Sequence, residues 1–209
     1  MPPPTSNPVS VAILAKAPIP GLAKTRLIPT IGEHAAAVLQ ERLTDRAVAT
    51  ALAANVGPVT LWCAPDATHK TFVNMVTQLP ITLKPQPEGD LGARMFAATA
   101  TTNGPVLVIG TDCPALTELH LLGAANALRE GNDVILIPAE DGGYVLIGTR
   151  TAQPQLFANI AWGTKTVLAE TRARIIDLRL ILAERPPLWD VDTESDLARL
   201  EREHPEFKL

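Results

Sequence analysis

One carboxylate at the end of an apolar run is the strongest chemical signal in the chain. Residues 106–109 are aliphatic, which predicts a buried strand, and Gly110 and Asp112 follow closely. Ligands of open α/β sheets bind beyond the carboxyl ends of the strands, and a hard divalent cation takes oxygen ligands. Asp112 is therefore a candidate metal ligand in a nucleotide-using enzyme. The alternative is a turn aspartate that caps the helix beginning near Thr117.

The loop after the first predicted strand brings three cations to the same edge of the sheet. Lys16, Lys24 and Arg26 follow the apolar residues 9–15. Three cations suit a polyphosphate, which the Arg26 guanidinium can bind with two hydrogen bonds. Gly21 lets the backbone approach a ligand closely. The loop is therefore a candidate phosphate site, with a solvated loop as the alternative.

Two further segments place glycines at predicted helix starts, where backbone N–H groups favour anions. Gly89 and Gly92 come just before Arg94, a pattern that suits a nucleobase or a phosphate. An ordinary N-cap at Asp90 is the alternative. Residues 162–166 combine a glycine, two hydroxyls and a cation, which predicts a second anion pocket.

Carboxylates near the C-terminus could complete a metal site. Asp190 and Asp192 alternate with Val191, so an extended segment would point both carboxylates to one side. Asp112 and Asp192, one from each part of the chain, would then bind a divalent cation together. The alternative is a helix capped by Thr193 beside two solvated aspartates.

Apolar runs alternate with helical periodicity along the chain and predict an α/β fold with a mostly parallel, doubly wound sheet and helices on both faces. The predicted strands are residues 9–15, 59–63, 81–83, 106–109, 134–138, 144–148 and 180–183. The predicted helices are residues 33–56, 68–79, 91–101, 118–129, 164–178 and 194–203. The fifth and sixth strands are too close for a helical crossover, so an antiparallel or splayed pair is predicted there.

Length and composition limit the classes of function. The 209 residues predict a disordered, proline-rich lead-in over residues 1–8 and a single domain over residues 9–209. A net charge of −4 and 4% aromatic residues give no basis for binding nucleic acid or an anionic membrane. No membrane span or signal peptide is recognisable. We therefore expect a cytoplasmic protein with small-molecule partners.

Taken together, the motifs resemble the GT-A-type nucleotide-diphospho-sugar transferase superfamily. More closely, the chain resembles the small bacterial glycosyltransferase-like family linked to arsenosugar biosynthesis. That family is itself similar to the molybdenum-cofactor guanylyltransferases and to 2-phospholactate guanylyltransferase. The segments that carry the resemblance are residues 15–18, 21–27, 89–95, 110–114, 141–144, 162–164 and 190–193.

The resemblance implies a Rossmann-like, three-layer α/β/α fold and a role for each candidate residue. The implied catalytic residues are Lys24, Arg26 and Asp112. The implied nucleotide-binding residues are Ala15, Lys16, Gly21, Lys24, Arg26, Gly89, Gly92, Arg94 and Thr111. The implied acceptor-binding residues are Asp141, Gly142, Gly143, Tyr144, Trp162, Gly163 and Thr164. The implied ligands of a Mg²⁺ or Mn²⁺ ion are Asp112 and Asp192.

These expectations describe a metal-dependent transferase that uses a nucleotide or nucleotide sugar and a small-molecule acceptor. Glycosyl transfer is the leading hypothesis. The alternatives are a guanylyltransferase-like nucleotidyltransferase that releases pyrophosphate and a non-catalytic nucleotide-binding module. The sequence does not identify the nucleobase, the sugar, the acceptor or the catalytic general base. A homodimer is one option for the oligomeric state.

Overall fold

A computed structural model describes residues 7–208 and shows a seven-stranded sheet between two layers of helices. The strands are β1 Ser10–Lys16, β2 Val59–Ala64, β3 Ile81–Pro85, β4 Val106–Ile109, β5 Val134–Pro138, β6 Tyr144–Thr149 and β7 Leu182–Glu184. The helices are α1 Ile28–Ala54, α2 Lys70–Gln78, α3 Leu91–Ala100, α4 Glu118–Arg129, α5 Pro154–Phe157, α6 Val167–Asp177 and α7 Glu194–Glu203. The predicted α/β class is confirmed, and most of the predicted lead-in lies outside the described residues.

The order of the strands places one crevice at the centre of the sheet. The order is β3-β2-β1-β4-β6-β5-β7, and β6 alone among these strands runs antiparallel to its neighbours β4 and β5. The late antiparallel element is therefore confirmed. The chain builds outward from β1 to β3 and then returns to place β4 on the other side of β1. Ligands of doubly wound sheets bind at such a switch point, beyond the carboxyl ends of the strands.

Alternate residues of each strand face opposite helical layers, as the pleat of a strand requires. In β1, Val11 and Ile13 pack in the cluster that includes α1, α2 and α4. Ala12 packs on the other side, in the cluster that includes α3, α5 and α6. Both faces of the central strands are thus covered, which explains their continuous apolar sequence.

Three differences from the predicted elements have a local cause. Helix α1 begins at Ile28 and is interrupted at Gly32, whose positive φ of 79° breaks the regular helix before its long second part. Helix α5, Pro154–Phe157, has four residues and was not predicted, because it is too short to show a helical period. Residues 164–166 form a turn held by the Thr164 hydroxyl, which donates to the Ala161 carbonyl at 2.7 Å, so α6 starts later than predicted.

Within residues 7–208, no helix combines the length and the apolar character needed to cross a membrane. The 27-residue helix α1 is long enough, but it carries charged residues along its length.

Asp133 connects the ends of three strands. We expect its removal to destabilise the fold by about 1.5–3 kcal/mol, the usual contribution of hydrogen bonds to a charged group. Its carboxylate accepts from the Ile181 backbone N–H at 2.9 Å and from the Arg150 guanidinium, at the starts and ends of β5, β6 and β7. These contacts lower the pKa of Asp133, the Ile181 hydrogen bond most and Arg150 next.

A lowered folded-state pKa gives stability above the unfolded-state pKa of about 3.9, and that stability is lost as the pH falls through the folded-state pKa. The stabilities of the wild type and Asp133→Asn, measured by urea unfolding, should therefore differ at pH 7 and converge as the pH falls through the lowered pKa of Asp133. A difference that stays constant at all pH values would contradict the ionic role of Asp133. Glu201→Gln, on the exposed surface of α7, serves as the matched control.

Candidate functional site

A cleft of about 600 Å³ opens beyond the carboxyl ends of β1 and β4, at the switch point of the sheet. The predicted site residues that line it are Ala15, Lys16, Lys24, Arg26, Arg94, Thr111, Asp112, Tyr144, Gly163 and Asp192. The predicted site residues outside its lining are Gly21, Gly89, Gly92, Asp141, Gly142, Gly143, Trp162 and Thr164. The structure therefore gathers the three cations of the first loop and both predicted metal ligands in one cleft.

The centre of the cleft is an ion-pair cluster around Lys24. The Lys24 ammonium lies 2.7 Å from Asp112 Oδ1 and 3.7 Å from Asp192 Oδ1, and it donates to the Val191 carbonyl at 2.6 Å. Arg26 Nη1 lies 2.8 Å from Asp192 Oδ2. The Lys24 side chain is 5% exposed and that of Arg26 is 70% exposed, so Lys24 fills the interior of the cluster while Arg26 lies at its rim.

The loop after β1 presents Lys24 through a sequence of tight turns. The Leu22 and Ala23 amides both donate to the Ile19 carbonyl at 3.0 Å, and Lys24 itself has a left-handed backbone with φ 47°. A short 3₁₀ helix, Thr25–Leu27, follows and ends in a fully buried leucine. The loop is thus anchored on both sides of Lys24, by β1 and by the buried leucine.

The segment before α7 brings the second carboxylate. Val191 is buried among Leu27 and residues of α1 and α7, and its amide donates to the Asp112 carbonyl at 2.9 Å. Both Asp190 and Asp192, on either side of Val191, line the cleft, as predicted from their alternation. The predicted cap of α7 by Thr193 is also present, so the capping and cleft-lining interpretations hold together.

The electrostatics of the cleft favour a bound cation. Burial, as the largest cause, and the negative charges of Asp141, Asp192 and Asp112 together raise the pKa of Asp190 to about 7. Burial also raises the pKa of Asp192, against the opposing effect of Lys24. Carboxylates crowded in this way repel one another unless a cation lies among them.

The carboxylates of the cleft suit a divalent cation that also binds the phosphates of a ligand. Within residues 7–208, no group of three or more His, Cys, Asp or Glu side chains is arranged to hold a metal ion. Mg²⁺ in nucleotide-binding sites is commonly bound by one or two carboxylates together with substrate phosphates. Asp112 and Asp192 offer two carboxylates, and the cations around them offer partners for phosphates, so the residues fit such an ion.

A buried polar chain behind Asp112 was not predicted. Gln40 Nε2 donates to Thr111 Oγ1 at 3.0 Å and to Thr44 Oγ1 at 3.2 Å, and Thr111 Oγ1 in turn donates to Asp112 Oδ1 at 3.3 Å. Gln40 is buried on the inner face of α1. A polar residue within the apolar face of a long helix was the available sequence signal.

Gln86 is the second missed residue of the cleft. Its Nε2 donates to the Ala15 carbonyl at 3.0 Å and the Trp62 carbonyl at 2.8 Å, and its Oε1 accepts from Arg94 at 3.3 Å. Gln86 follows β3 directly, so the strand pattern could have predicted its position at the carboxyl edge of the sheet. It holds Arg94 against the end of β1.

Several motif residues outside the lining have local structural roles. Asp90 is the predicted N-cap of α3, where its Oδ1 accepts from the Ala93 amide at 2.8 Å. Asp141 closes a turn by accepting from the Gly143 amide at 2.9 Å. At α4, the Thr117 amide donates to His120 Nδ1 at 3.1 Å, so that helix start is capped without Asp112. The capping alternative for Asp112 is therefore wrong.

Tyr144 lines the cleft, and Trp162 packs against it outside the lining. Their rings meet edge to face with centroids 6.5 Å apart. Burial raises the pKa of Tyr144, and its hydroxyl lies 3.9 Å from the Met95 sulfur. Of the predicted acceptor residues, Tyr144 and Gly163 reach the cleft.

Solved structures with this fold include transferases. A protein of Desulfovibrio desulfuricans G20, provisionally assigned as a nucleotide-diphospho-sugar transferase, is 29% identical over 94% of this chain and 87% of its own, with a TM-score of 0.85. A nucleotidyl transferase of Methanothermobacter thermautotrophicus is 13% identical over 97% of this chain and 100% of its own, with a TM-score of 0.66.

Glucosyl-3-phosphoglycerate synthase of Mycobacterium tuberculosis, solved with Mn²⁺, UDP and glucosyl-3-phosphoglycerate, is 12% identical over 97% of this chain and 78% of its own, with a TM-score of 0.58. The resemblance to the nucleotide-diphospho-sugar transferase superfamily is thus confirmed for the fold. No curated protein sequence matches the chain. Residues 47–164, more than half of the chain and inclusive of Asp112, match the family of bacterial proteins called DUF2064, described as uncharacterised, and the chain therefore belongs to that family.

Proposed function

We propose that this protein transfers a sugar from a nucleotide diphosphate sugar to a small acceptor with the help of a divalent cation. The observation that carries the proposal is the meeting of Lys24, Asp112 and Asp192 in one cleft at the switch point of the sheet. The 29% identity to the Desulfovibrio protein supports a nucleotide sugar as the donor.

In this reaction the bond between the anomeric carbon and the diphosphate oxygen breaks, and an acceptor oxygen takes its place on the sugar. The leaving nucleoside diphosphate gains negative charge, which Lys16, Lys24 and Arg26 would stabilise from the wall of the cleft. A Mg²⁺ or Mn²⁺ ion bound to Asp112 and Asp192 would supply further charge neutralisation on the diphosphate.

The part of the cleft that Tyr144 and Gly163 line is the proposed acceptor side. Asp141 and Gly142 form the turn beside it, and the Gly142 carbonyl accepts from the Leu168 amide at 2.9 Å, which ties the turn to the start of α6. Trp162 would then act behind Tyr144, by fixing the orientation of its ring.

The released product tests this function. Nucleoside diphosphate sugars and nucleoside triphosphates would first be screened with Mn²⁺ by thermal shift, since a ligand at a hundred times its Kd adds about 2.7 kcal/mol of stability. The ligands that bind would then be incubated with candidate acceptors. Release of nucleoside diphosphate supports sugar transfer, whereas release of pyrophosphate from a triphosphate would establish nucleotidyl transfer instead. Binding without any turnover would favour the non-catalytic module.

A further inference from the structure

The position of Lys24 conflicts with a simple picture of the proposed metal site. Its ammonium has three oxygen neighbours: Asp112 Oδ1 at 2.7 Å, Asp192 Oδ1 at 3.7 Å and the Val191 carbonyl at 2.6 Å. An ammonium group has three hydrogen-bond donors. Lys24 is therefore a cation enclosed by oxygen ligands, in the position between the two carboxylates that a divalent ion would need.

The same oxygens cannot serve both cations at close range. A Mg²⁺ ion binds its oxygen ligands at about 2.1 Å, so an ion on Asp112 Oδ1 would lie beside the ammonium and repel it. Arg26 presents no such conflict, because its side chain is 70% exposed and reaches Asp192 from the rim, through the other carboxylate oxygen, Oδ2. A divalent ion that Asp112 Oδ1 and Asp192 Oδ1 hold together therefore requires Lys24 to leave its position between them.

The surroundings of Lys24 allow it to leave. A lysine side chain is a flexible four-carbon stem with a compact charge, and the neighbouring Leu22 is 65% exposed at the edge of the cleft. A departing ammonium needs new anionic partners, since an isolated charge in a partly buried site is costly. The oxygens of a bound diphosphate would supply such partners.

We propose that Lys24 is the resident cation of this centre and that a divalent ion displaces it only together with a diphosphate, whose oxygens receive the ammonium. The inference rests on the proposed function for the identity of the diphosphate ligand. It makes two consequences measurable. Free divalent ions bind weakly to the wild type, and the ion and the diphosphate strengthen each other's binding, as thermodynamic coupling requires.

Binding of Mn²⁺ alone, followed by the electron paramagnetic resonance signal of the free ion, tests the displacement on the full chain. Lys24→Met keeps the length of the side chain and removes its charge, so it should bind Mn²⁺ about tenfold or more tighter than the wild type. Arg26→Met is the matched control, because it removes a charge from the same cluster without vacating the position between the carboxylates. Its gain should stay within about threefold.

A double variant tests whether the gain in Mn²⁺ affinity arises at this centre. Adding Asp112→Asn to Lys24→Met should abolish the tighter Mn²⁺ binding, because the ion loses a ligand. Lys24→Met that binds Mn²⁺ no tighter than the wild type overturns the proposal. Equal gains in Lys24→Met and Arg26→Met also overturn it, since they would show only a general change of the electrostatic field.

A measurement on the wild type keeps the test independent of the folding of the variants. Saturating methylenediphosphonate should raise the affinity of the wild type for Mn²⁺ about tenfold or more. Mixtures without protein measure the Mn²⁺ that methylenediphosphonate itself binds, and this amount is subtracted. An unchanged affinity contradicts coupled binding. These outcomes can be distinguished from those that test the proposed function. The displacement of Lys24 is supported if Lys24→Met binds Mn²⁺ more tightly even though no sugar is transferred. It is contradicted if sugar is transferred but Mn²⁺ binding is not coupled to the diphosphate.

Discussion

Asp112→Asn is expected to lower the proposed metal-dependent sugar transfer by about a hundredfold or more while the chain stays folded. Asparagine keeps the size of the side chain and loses the negative charge on which the proposed ion depends. The Asp112 side chain is 46% exposed, so the fold does not rely on its burial. Lys24 retains the Val191 carbonyl and Asp192 as partners in the variant.

Initial rates at saturating Mn²⁺, together with the melting temperature, measure this effect. Asp66→Asn is the matched control, because Asp66 follows β2 at the same edge of the sheet and lies outside the cleft lining. Its Oδ1, which asparagine keeps, accepts from the Thr68 amide at 2.7 Å. Full transfer activity in folded Asp112→Asn would eliminate Asp112 as a metal ligand and with it the proposed catalytic role.

Local patterns were sufficient to predict the elements whose ends have a clear chemical cause. Strands β4 and β5 and helices α4 and α7 have the predicted bounds. Apolar runs mark those strands, and Thr193 marks the start of α7 as its predicted N-cap residue. The sequence pattern was least informative where the backbone changes course within an element, as at Gly32 of α1.

The position of β6 between β4 and β5 could not be predicted, because strand pairing depends on contacts across the sheet. A Cβ on Gly148 of β6 would lie 2.5 Å from a methyl group of Ile135 and 2.6 Å from one of Leu107. The side chains of β4 and β5 thus fill the space that a larger residue of β6 would need. A glycine within a strand indicates close packing but does not identify the neighbours.

The candidate site was predictable in its location and not in its internal contacts. The strand pattern placed Lys24 and Asp112 at one edge, and the alternation around Val191 placed Asp192 towards the same cleft. The direct pairing of Lys24 with Asp112 depends on the left-handed backbone at Lys24, which no local signal indicates for a lysine. The contact of Gln40 with Thr111 likewise joins residues 71 positions apart.

Gly92→Ala is expected to destabilise the chain by about 2–3 kcal/mol, the cost of overpacking a tight contact. A Cβ on Gly92 would lie 2.5 Å from the Phe157 carbonyl oxygen and 2.7 Å from Trp162 Nε1. The nearest atom belongs to the backbone, so rotation of a side chain cannot relieve the contact. Helix α3 or helix α5 must shift instead.

This shift should also reach the cleft, because Arg94 lies in the first turn of α3 and lines it. Urea unfolding measures the stability, and Gly123→Ala is the matched control. Gly123 lies within α4, and a Cβ there meets nothing within 4 Å, so alanine should stabilise that helix by about 0.5–1 kcal/mol. In a Trp162→Ala background, where only the side-chain part of the clash is gone, Gly92→Ala should still destabilise the chain by most of the same amount. If Gly92→Ala cost nothing relative to Trp162→Ala alone, the Phe157 carbonyl would not constrain Gly92, whereas an undiminished cost locates the constraint in the backbone that positions α3 and Arg94.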